Sequence, residues 1–302
     1  MSILLKLPSP TTPPIPAFPR RGEGAEGGRG IAIVGFEESV PFELYRKLKG
    51  ALGDSCELEL TAGLVEELRS LKDGGEVDLI TGAIHCACVA FGRARHMIRP
   101  GVTERELAAE LDYRMMLAGA DGPAFDTVVA SGPNSSLPHA GITDRILAAG
   151  DLVVIDFGAV KNGYRSDMTR TVPLGRPGTR ELRALNAVSG ALEAALTAVQ
   201  PGVRARDVDA AARQHIEECG FGDKFPHGLG HGVGLEVHEK PSLSSKSPDT
   251  LEPGMVFTLE PGVYIEGECG ARLEEMVVMT ESGFEVISNS IPVGSAPLSG
   301  GV

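Results

Sequence analysis

Residues 150–173 read GDLVVIDFGAVKNGYRSDMTRTVP, and this stretch predicts a β-hairpin that presents two carboxylates. The apolar, β-branched run before Asp156 is typical of a strand, and Asn162-Gly163 is a strong signal for a two-residue hairpin turn. With that turn, the numbers of paired residues add up to 325, so Asp156 faces Thr169. Asp156 and Asp167 are then diagonal neighbours on one face, with Cβ atoms about 7 Å apart or somewhat less.

A bound cation is one explanation for two acids at that spacing. Carboxylates so close repel each other, and one of them must take up a proton unless a positive charge lies between them. The alternative is an ordinary pair of solvated acids on a hairpin, which this stretch alone does not exclude. Further ligands are needed before a metal site can be predicted.

A second hairpin is expected about one hundred residues later. Val256–Leu259 is a strand run that leads to Glu260, a turn follows near Glu266–Glu268, and Glu274 lies on the returning side. A three-residue loop sets Glu260 directly opposite Glu274, whereas a two-residue loop does not, and both registers remain open. Because a lone buried carboxylate costs several kcal/mol, acids at the ends of apolar strands need a positive partner.

An internal repeat relates the two hairpins. Pro100-Gly101-Val102 and the apolar positions that follow match Pro201-Gly202-Val203 and its followers at an offset of 101. The segment GDLVVIDFG at 150–158 matches GMVFTLEPG at 254–262 at an offset of 104. Two ordered matches at nearly one offset predict two related α+β halves, with a site between them where carboxylates from both halves meet.

A glycine-rich stretch between the hairpins, HGLGHGVGLEVHEKP at 227–241, holds three of the seven histidines. Glycines let the backbone approach a ligand closely, so at least one of these imidazoles is expected to bind a metal. The four carboxylates carry a charge of −4, which two divalent cations would neutralise, and an oxygen-rich site with one imidazole suits Mn²⁺, Co²⁺ or Zn²⁺. Such a pair of ions can hold a hydroxide for attack on a carbonyl, which is hydrolase chemistry. The histidines without partners on predicted helices are interpreted as packing residues: His85, His96 and His215.

Composition excludes several classes of protein. The chain has 302 residues with 28 Lys and Arg against 41 Asp and Glu, and the net charge of −13 opposes binding to nucleic acid or anionic membranes. An apolar fraction of 42% suffices for a sizeable core. No run approaches the roughly 18 uninterrupted apolar residues of a membrane span, and the five cysteines lack C-x-x-C pairing. We therefore expect a soluble cytoplasmic protein with free thiols.

Three segments are expected along the chain. Residues 1–30 are rich in Pro and Gly and predict a disordered tail. The strand and helix patterns of residues 31–73 are too few to close a sheet, so this segment is interpreted as a remnant of a domain. Gly74-Gly75 marks the boundary to a domain over residues 74–302, in which a helix is expected behind a capping box at Thr103. Its buried stripe is predicted to be Leu107, Leu111 and Met115.

Five motifs, in this order, resemble the pita-bread-fold metallopeptidases, and in particular the branch of Xaa-Pro dipeptidases and aminopeptidase P. They cover most of residues 76–290: FDTVVASGPNSSLPHA, GDLVVIDFGAVKNGYRSDMTRTV, HGLGHGVGLEVHEKP, GMVFTLEPGVYI and GARLEE. The resemblance implies an α+β pita-bread fold, also called the creatinase/aminopeptidase fold, with two pseudo-symmetric halves. It implies that residues 31–73 are a truncated α/β remnant of a creatinase-like amino-terminal domain and that residues 74–302 are the metallopeptidase catalytic domain.

The resemblance also implies roles for individual residues. The metal ligands are expected to be Asp156, Asp167, His231, Glu260 and Glu274. Glu260 is also expected to take the proton of the nucleophile. Contact with the substrate and stabilisation of the tetrahedral intermediate fall to two further histidines, His139 and His238. Additional candidates for contacts with the substrate or with the ligands are His227, Arg272, Tyr264 and Thr169, of which Thr169 is expected to orient Asp156.

The function that the resemblance implies is that of a dinuclear metallo-exopeptidase. A hydroxide bridging two ions, Mn²⁺ or Co²⁺ or else Zn²⁺, attacks the carbonyl of an Xaa-Pro bond at the amino end of a dipeptide or oligopeptide. A small peptide substrate and a homodimer are expected, with no nucleic-acid or membrane partner. A methionine aminopeptidase shares the fold and the ligands, but the sequence of the motif HGLGHGVGLEVHEKP favours the proline-specific branch. A non-catalytic peptide-binding module of this fold is disfavoured because all five ligands are present.

Overall fold

Residues 32–288 are described by the computed structural model, and the tail predicted for residues 1–30 lies outside them. The first compact unit ends at Ala62. It contains β1 (Ala32–Glu37), α1 (Phe42–Leu52) and β2 (Cys56–Thr61). The two strands pair in parallel across the intervening helix, and no residue of α1 is buried. This order of elements agrees with the strand and helix patterns of the sequence.

The helices of the second unit, which begins at Gly63, are α2 (Leu64–Ser70), α3 (Gly74–Ala94), α4 (Glu104–Leu117), α5 (Thr179–Ala198) and α6 (Ala205–Glu218). The compact units therefore divide ahead of Gly74-Gly75. These two glycines lie in the first turn of α3, where Asp73 caps the helix in a capping box with Glu76. The extent of a creatinase-like remnant stays a prediction.

The strands of the second unit are β3 (Gly122–Pro123), β4 (Val128–Ser131), β5 (Leu152–Phe157), β6 (Ala159–Lys161), β7 (Tyr164–Arg165), β8 (Met168–Pro173), β9 (Gly230–Gly232), β10 (Glu239–Leu243), β11 (Val256–Leu259), β12 (Gly262–Ile265), β13 (Cys269–Arg272), β14 (Glu275–Thr280) and β15 (Gly283–Val286). The two larger sheets have the orders β4-β5-β8 and β10-β9-β11-β14-β15. The smaller ones are β3-β6-β7 and β12-β13. The unit is thus a mixture of helices and antiparallel sheets, as the α+β fold class requires.

Helix α4 begins as predicted. The Thr103 hydroxyl accepts from the Glu106 N–H at 3.1 Å, and the Glu106 carboxylate accepts from the Thr103 N–H at 2.8 Å. The predicted stripe of this helix is buried, as are the positions that correspond to it on α6: Leu107, Leu111 and Met115, with Val208, Ala212 and Ile216. The internal repeat of the sequence therefore corresponds to a repeated helix position in the fold.

The first hairpin has the predicted register. Asp156 pairs with Thr169, and Lys161 pairs with Tyr164 next to the turn. Asn162 and Gly163 have φ values of 50° and 85°, which is the left-handed backbone that a type I′ turn needs at both central positions. The Asn-Gly signal therefore identified both the turn and the pairing of the strands.

The second hairpin has the three-residue loop, one of the two registers that the sequence left open. Leu259 pairs with Glu275 on one side of Glu260 and Glu274, and Gly262 pairs with Arg272 on the other. Both pairs belong to one register, and Glu260 and Glu274 are the opposite positions between them. The hairpin therefore carries a glutamate on each of its two sides at the same level.

Two hydrophobic clusters lie on either side of the strands that carry these acids. The first contains buried residues of α3 and α4 with Ile155, Phe157 and Met168. The second contains buried residues of α5 and α6 with Leu259 and Leu273. Each of the four carboxylates is therefore next in the chain to a side chain anchored in one of the clusters.

One described helical segment, Gly74–Met97, is long and apolar enough to cross a membrane by length and composition alone. Of its most apolar window, 44% is buried inside the structure, and the core helices of soluble proteins pass the same test. This segment packs on α4, with Ile80, Ala83, Ala87 and Ala90 fully buried. The structure itself therefore accounts for its apolar composition.

Candidate metal centre

The five residues expected to bind metal line one cavity of about 540 Å³. They come from both halves of the second unit: Asp156, Asp167, His231, Glu260 and Glu274. Four other residues singled out from the sequence line the same cavity: His139, His227, His238 and Arg272. Their roles as ligands and catalytic groups stay predictions, but the fold brings them together as the resemblance implies.

Three of the five expected ligands form a close group, and Glu260 contacts the imidazole of that group. Ligand atoms of Asp167, His231 and Glu274 are all within 4.8 Å of one another. His231 Nε2 is 3.3 Å from Glu260 Oε1 and 3.6 Å from Asp167 Oδ2. The other ring nitrogen of His231, Nδ1, donates to the Gly232 carbonyl at 3.1 Å, which leaves Nε2 facing the carboxylates. Burial lowers the pKa of His231, but the hydrogen bond and charge of Glu260, the Gly232 carbonyl and the charge of Asp156 together raise it above the ordinary value.

The carboxylates carry more negative charge than the protein around them neutralises. Asp156 Oδ1 and Glu274 Oε1 are buried and have no hydrogen-bond partner among residues 32–288. Burial and then the charges of the neighbouring acids raise the pKa of Asp167 and of Glu274 well above the ordinary values. Unpartnered oxygens, mutual repulsion and a donor set of carboxylates with one imidazole all fit divalent metal ions, so the residues present match the group that this site is expected to hold.

Arg272 is the one Lys or Arg side chain among the described residues that line the cavity. Its Nη2 donates to Asp156 Oδ2 at 2.5 Å, and its Nε donates to the Thr169 hydroxyl at 3.0 Å. Its Nη1 donates to the Tyr264 hydroxyl at 2.9 Å and to the Pro138 carbonyl at 3.0 Å. This buried guanidinium binds Oδ2 of Asp156 and leaves Oδ1 available to the other groups of the cavity.

Thr169 contacts a different carboxylate from the one expected. Its hydroxyl donates to Glu274 Oε2 at 2.8 Å, although its backbone pairs with that of Asp156. The reason is that Arg272 donates both to the Asp156 carboxylate and to the Thr169 oxygen. The expectation that Thr169 orients Asp156 is therefore corrected: its hydrogen bond orients Glu274, a carboxylate of the other hairpin.

The remaining histidines differ in their surroundings. His227 Nδ1 donates to the Gly228 carbonyl at 2.8 Å, and His227 Nε2 lies 3.0 Å from the Tyr264 hydroxyl. Burial lowers the pKa of His227, and burial with the neighbouring His231 lowers that of His238. The ring centroids of His238 and His231 are 4.2 Å apart. The imidazoles of His227 and His238 are therefore neutral near pH 7 and can act as hydrogen-bond donors or acceptors.

Sequence reasoning missed Thr258, which links two of the expected ligands. Its hydroxyl oxygen accepts from the backbone N–H of His231 at 3.1 Å. The same hydroxyl donates to Glu260 Oε1 at 3.3 Å. The signal was its position two residues before Glu260, because alternate residues of a strand share a face. Other lining residues were not singled out: Phe125, Val128, Pro138 and Val237 lie within the motifs quoted above, whereas Ser242 and Ser244 lie outside them.

The strand that carries His231 tolerates no side chain at Gly230. A Cβ atom there would collide with the backbone carbonyl of Thr258. We expect Gly230→Ala to lower the free energy of unfolding by about 1–3 kcal/mol, because buried backbone has to shift. The matched control is Gly92→Ala in α3, where a Cβ meets open space, and this change should stabilise by about 0.5–1 kcal/mol. Chemical denaturation of the three proteins measures both changes, and equal stabilities would contradict the close approach of β9 and β11.

Comparisons with known proteins agree with this geometry. The chain matches the model of metallopeptidase family M24 over residues 78–281. It is 38% identical over 270 residues to a Xaa-Pro dipeptidase of Pyrococcus horikoshii, an alignment covering 89% of this chain and 77% of that protein. The structure is similar to that of an X-Pro aminopeptidase from Thermotoga maritima, with a TM-score of 0.81 and 42% identity over 86% of this chain and 74% of the other. It is also similar to prolidase from Pyrococcus furiosus, with a TM-score of 0.80 and 39% identity over 85% and 76% of the two chains.

Proposed function

The chain belongs to metallopeptidase family M24, and from this premise we propose that it hydrolyses the bond between an amino-terminal residue and a proline in the second position of a peptide. The observation that carries the proposal is the meeting of four carboxylates and one imidazole in a single cavity. Relatives named Xaa-Pro dipeptidase and X-Pro aminopeptidase, at 38% and 42% identity, support the choice of proline. A peptide is therefore the proposed substrate.

Two divalent metal ions are the proposed cofactors, with Mn²⁺ or Co²⁺ preferred to Zn²⁺. The residues that would hold them are Asp156, Asp167, His231, Glu260 and Glu274. Bound there, divalent cations would supply Lewis acidity, which polarises a carbonyl and makes water acidic near neutral pH. Asp156 and Glu274 each bring one buried oxygen without another described partner.

Glu260 is proposed to move the proton of the attacking water. Burial raises the pKa of this carboxyl, but the hydrogen bond and charge of His231, with the charges of Arg272 and His227, together lower it by more. Its pKa therefore lies below the ordinary value, and the carboxylate is ionised at neutral pH. An ionised carboxylate with its Oε1 held by Thr258 can accept a proton in a fixed direction.

The two histidines at the edge of the cavity are proposed to bind the substrate. His139 and His238 line the cavity but are not part of the cluster of ligand atoms within 4.8 Å of one another. An imidazole N–H there can donate to the carbonyl oxygen as negative charge develops on it. Arg272 and Thr169 are proposed to hold Asp156 and Glu274 in place through the hydrogen bonds described above, and Tyr264 and His227 are proposed to support Arg272.

The protein is further proposed to act in the cytoplasm as a homodimer, without a nucleic-acid or membrane partner. The five cysteines are free, as a reducing compartment requires. The net charge of −13 opposes contact with phosphate groups.

Peptide turnover tests the proposed function. The purified protein supplied with Mn²⁺ or Co²⁺ should release the first residue of Gly-Pro or Gly-Pro-Xaa peptides, detected as free glycine and proline or Pro-Xaa. Peptides that begin with Met-Ala serve as the control, because a methionine aminopeptidase would cleave them. Cleavage of Met-Ala peptides as fast as Gly-Pro peptides would contradict the specificity for proline, and the absence of any turnover with all three metals would contradict the peptidase.

A further inference from the structure

A buried group of opposite charges lies next in the chain to His238. The Glu239 side chain is only 4% exposed and accepts from Lys72 Nζ at 3.1 Å, where the lysine side chain is 2% exposed. Arg69 donates to the same carboxylate from Nε at 3.1 Å and also from Nη2. Three charged side chains, two of them almost fully buried, thus meet beside an imidazole of the cavity.

The Glu239 carboxylate also closes the loop before it. Its Oε1 accepts from the Glu236 N–H at 3.0 Å, and it lies against Gly234 so closely that no Cβ fits there. From β7, Arg165 donates to the Gly234 carbonyl at 2.9 Å and to the Leu235 carbonyl at 3.1 Å. Arg165 therefore holds the beginning of the loop, and the Glu239 carboxylate accepts from the backbone nearer its end.

The cations that hold Glu239 are fixed to the strand of Glu260. The Lys72 N–H donates to the Gly254 carbonyl at 2.8 Å, and Leu71 forms a β-bridge with Met255, immediately before β11. Lys72 therefore joins the loop that precedes His238 to the strand that leads to Glu260. His238 comes directly before Glu239 and lines the cavity, so an anchored Glu239 fixes the backbone from which the imidazole projects.

We propose that Glu239 is a positioning residue, which Arg69 and Lys72 hold beneath the loop Gly234–Val237 so that His238 is fixed at the cavity. Stability alone does not explain these buried charges, because ion pairs of this kind often can be replaced by apolar side chains without loss of stability. A defined position for the neighbouring imidazole does explain them. The role in catalysis rests on the proposed peptidase function.

A double-mutant cycle tests whether Glu239 acts through His238. Glu239→Gln should lower kcat for a Gly-Pro-Xaa peptide by about 10- to 100-fold, as loss of a residue that orients a functional imidazole does. In a His238→Ala background the same change should lower kcat by less than about twofold, because there is no imidazole left to position. The matched control is Glu281→Gln, which makes the same chemical change at an exposed position between β14 and β15, and it should leave kcat unchanged. Equal factors for Glu239→Gln in the two backgrounds would overturn the proposal.

A second variant separates position from folding. Lys72→Met combined with Glu239→Leu removes both nearly buried charges, and its melting temperature should equal or exceed that of the original protein while kcat still falls. Amide hydrogen exchange at Glu236, which loses its acceptor, should become faster in this variant without any substrate present. Unchanged exchange would contradict the proposal that Glu239 anchors the loop, whether or not the protein is a peptidase. Faster exchange in a protein without peptidase activity would contradict the proposed function but not the anchor.

Discussion

Glu260→Gln is expected to lower kcat for Xaa-Pro peptides about a thousandfold while the protein stays folded, because it removes the group proposed to take the proton of the attacking water. Glutamine has nearly the same shape and can still accept from the Thr258 hydroxyl, which lies 3.3 Å from Glu260 Oε1. The change also removes one negative charge from a crowded set of acids, so it should not unfold the chain. Turnover at saturating metal, together with circular dichroism and the melting temperature, measures the two effects separately.

The matched control is Glu266→Gln, which makes the same chemical change at an exposed position in the loop of the same hairpin. It should retain full turnover. Turnover by Glu260→Gln within a factor of about ten of the original protein, with metal bound, would exclude Glu260 as the proton acceptor.

Removal of divalent metal is expected to have the second large effect, and it should act on stability as well as on activity. At a free concentration a thousand times its dissociation constant, an ion that binds only the folded state stabilises it by about 4 kcal/mol. Chelation should therefore abolish turnover and lower the melting temperature, and addition of Mn²⁺ or Co²⁺ should restore both. The driving force is relief of the repulsion among Asp156, Asp167 and Glu274, whose pKa values burial and neighbouring charges raise.

The sign of the pH dependence follows from these raised pKa values. Above the ordinary values of 3.8 for Asp167 and 4.5 for Glu274, the unfolded chain releases protons that the metal-free folded state retains. The stability of the metal-free protein should therefore fall as the pH rises from those values through the raised folded pKa values. Glu260 is the one acid of the four whose pKa is lowered, so its contribution to stability changes with pH in the opposite direction. Bound cations should remove the fall, because they stabilise the ionised carboxylates.

Scanning calorimetry between pH 5 and pH 8, with chelator and with metal, measures this difference. Asp167→Asn should be more stable than the original protein when both are metal-free at pH 8, and it should gain less from added metal. A metal-free protein that becomes more stable with rising pH over this range would contradict the repulsion on which the metal centre is argued.

Local signals were sufficient to predict the arrangement of the first hairpin. Asn162-Gly163 determined the turn, and the turn determined that Asp156 pairs with Thr169. The second hairpin has no such signal: its loop, Glu266–Glu268, contains Gly267 at φ 72° but no Asn-Gly pair, so two registers were equally compatible with the sequence. The structure has the register that sets Glu260 opposite Glu274.

Long-range contacts were beyond the reach of the sequence patterns. Register alone assigned the Thr169 hydroxyl to Asp156, but Arg272 binds that carboxylate, and the hydroxyl donates to Glu274. The contact between Lys72 and Glu239 joins residues 167 positions apart and follows no periodicity. Gly74-Gly75, which the sequence marks as a boundary, lies in the first turn of α3 behind the Asp73 cap.

The placement of the acids between two hydrophobic clusters has a consequence for cooperativity. Asp156 and Asp167 adjoin Phe157 and Met168 of one cluster, whereas Glu260 and Glu274 adjoin Leu259 and Leu273 of the other. Metal ions held by these acids would therefore link chain segments that are anchored in two different cores. Binding of metal would then couple the stabilities of the two cores through the energy of coordination, so the protein should unfold more cooperatively with metal than without it.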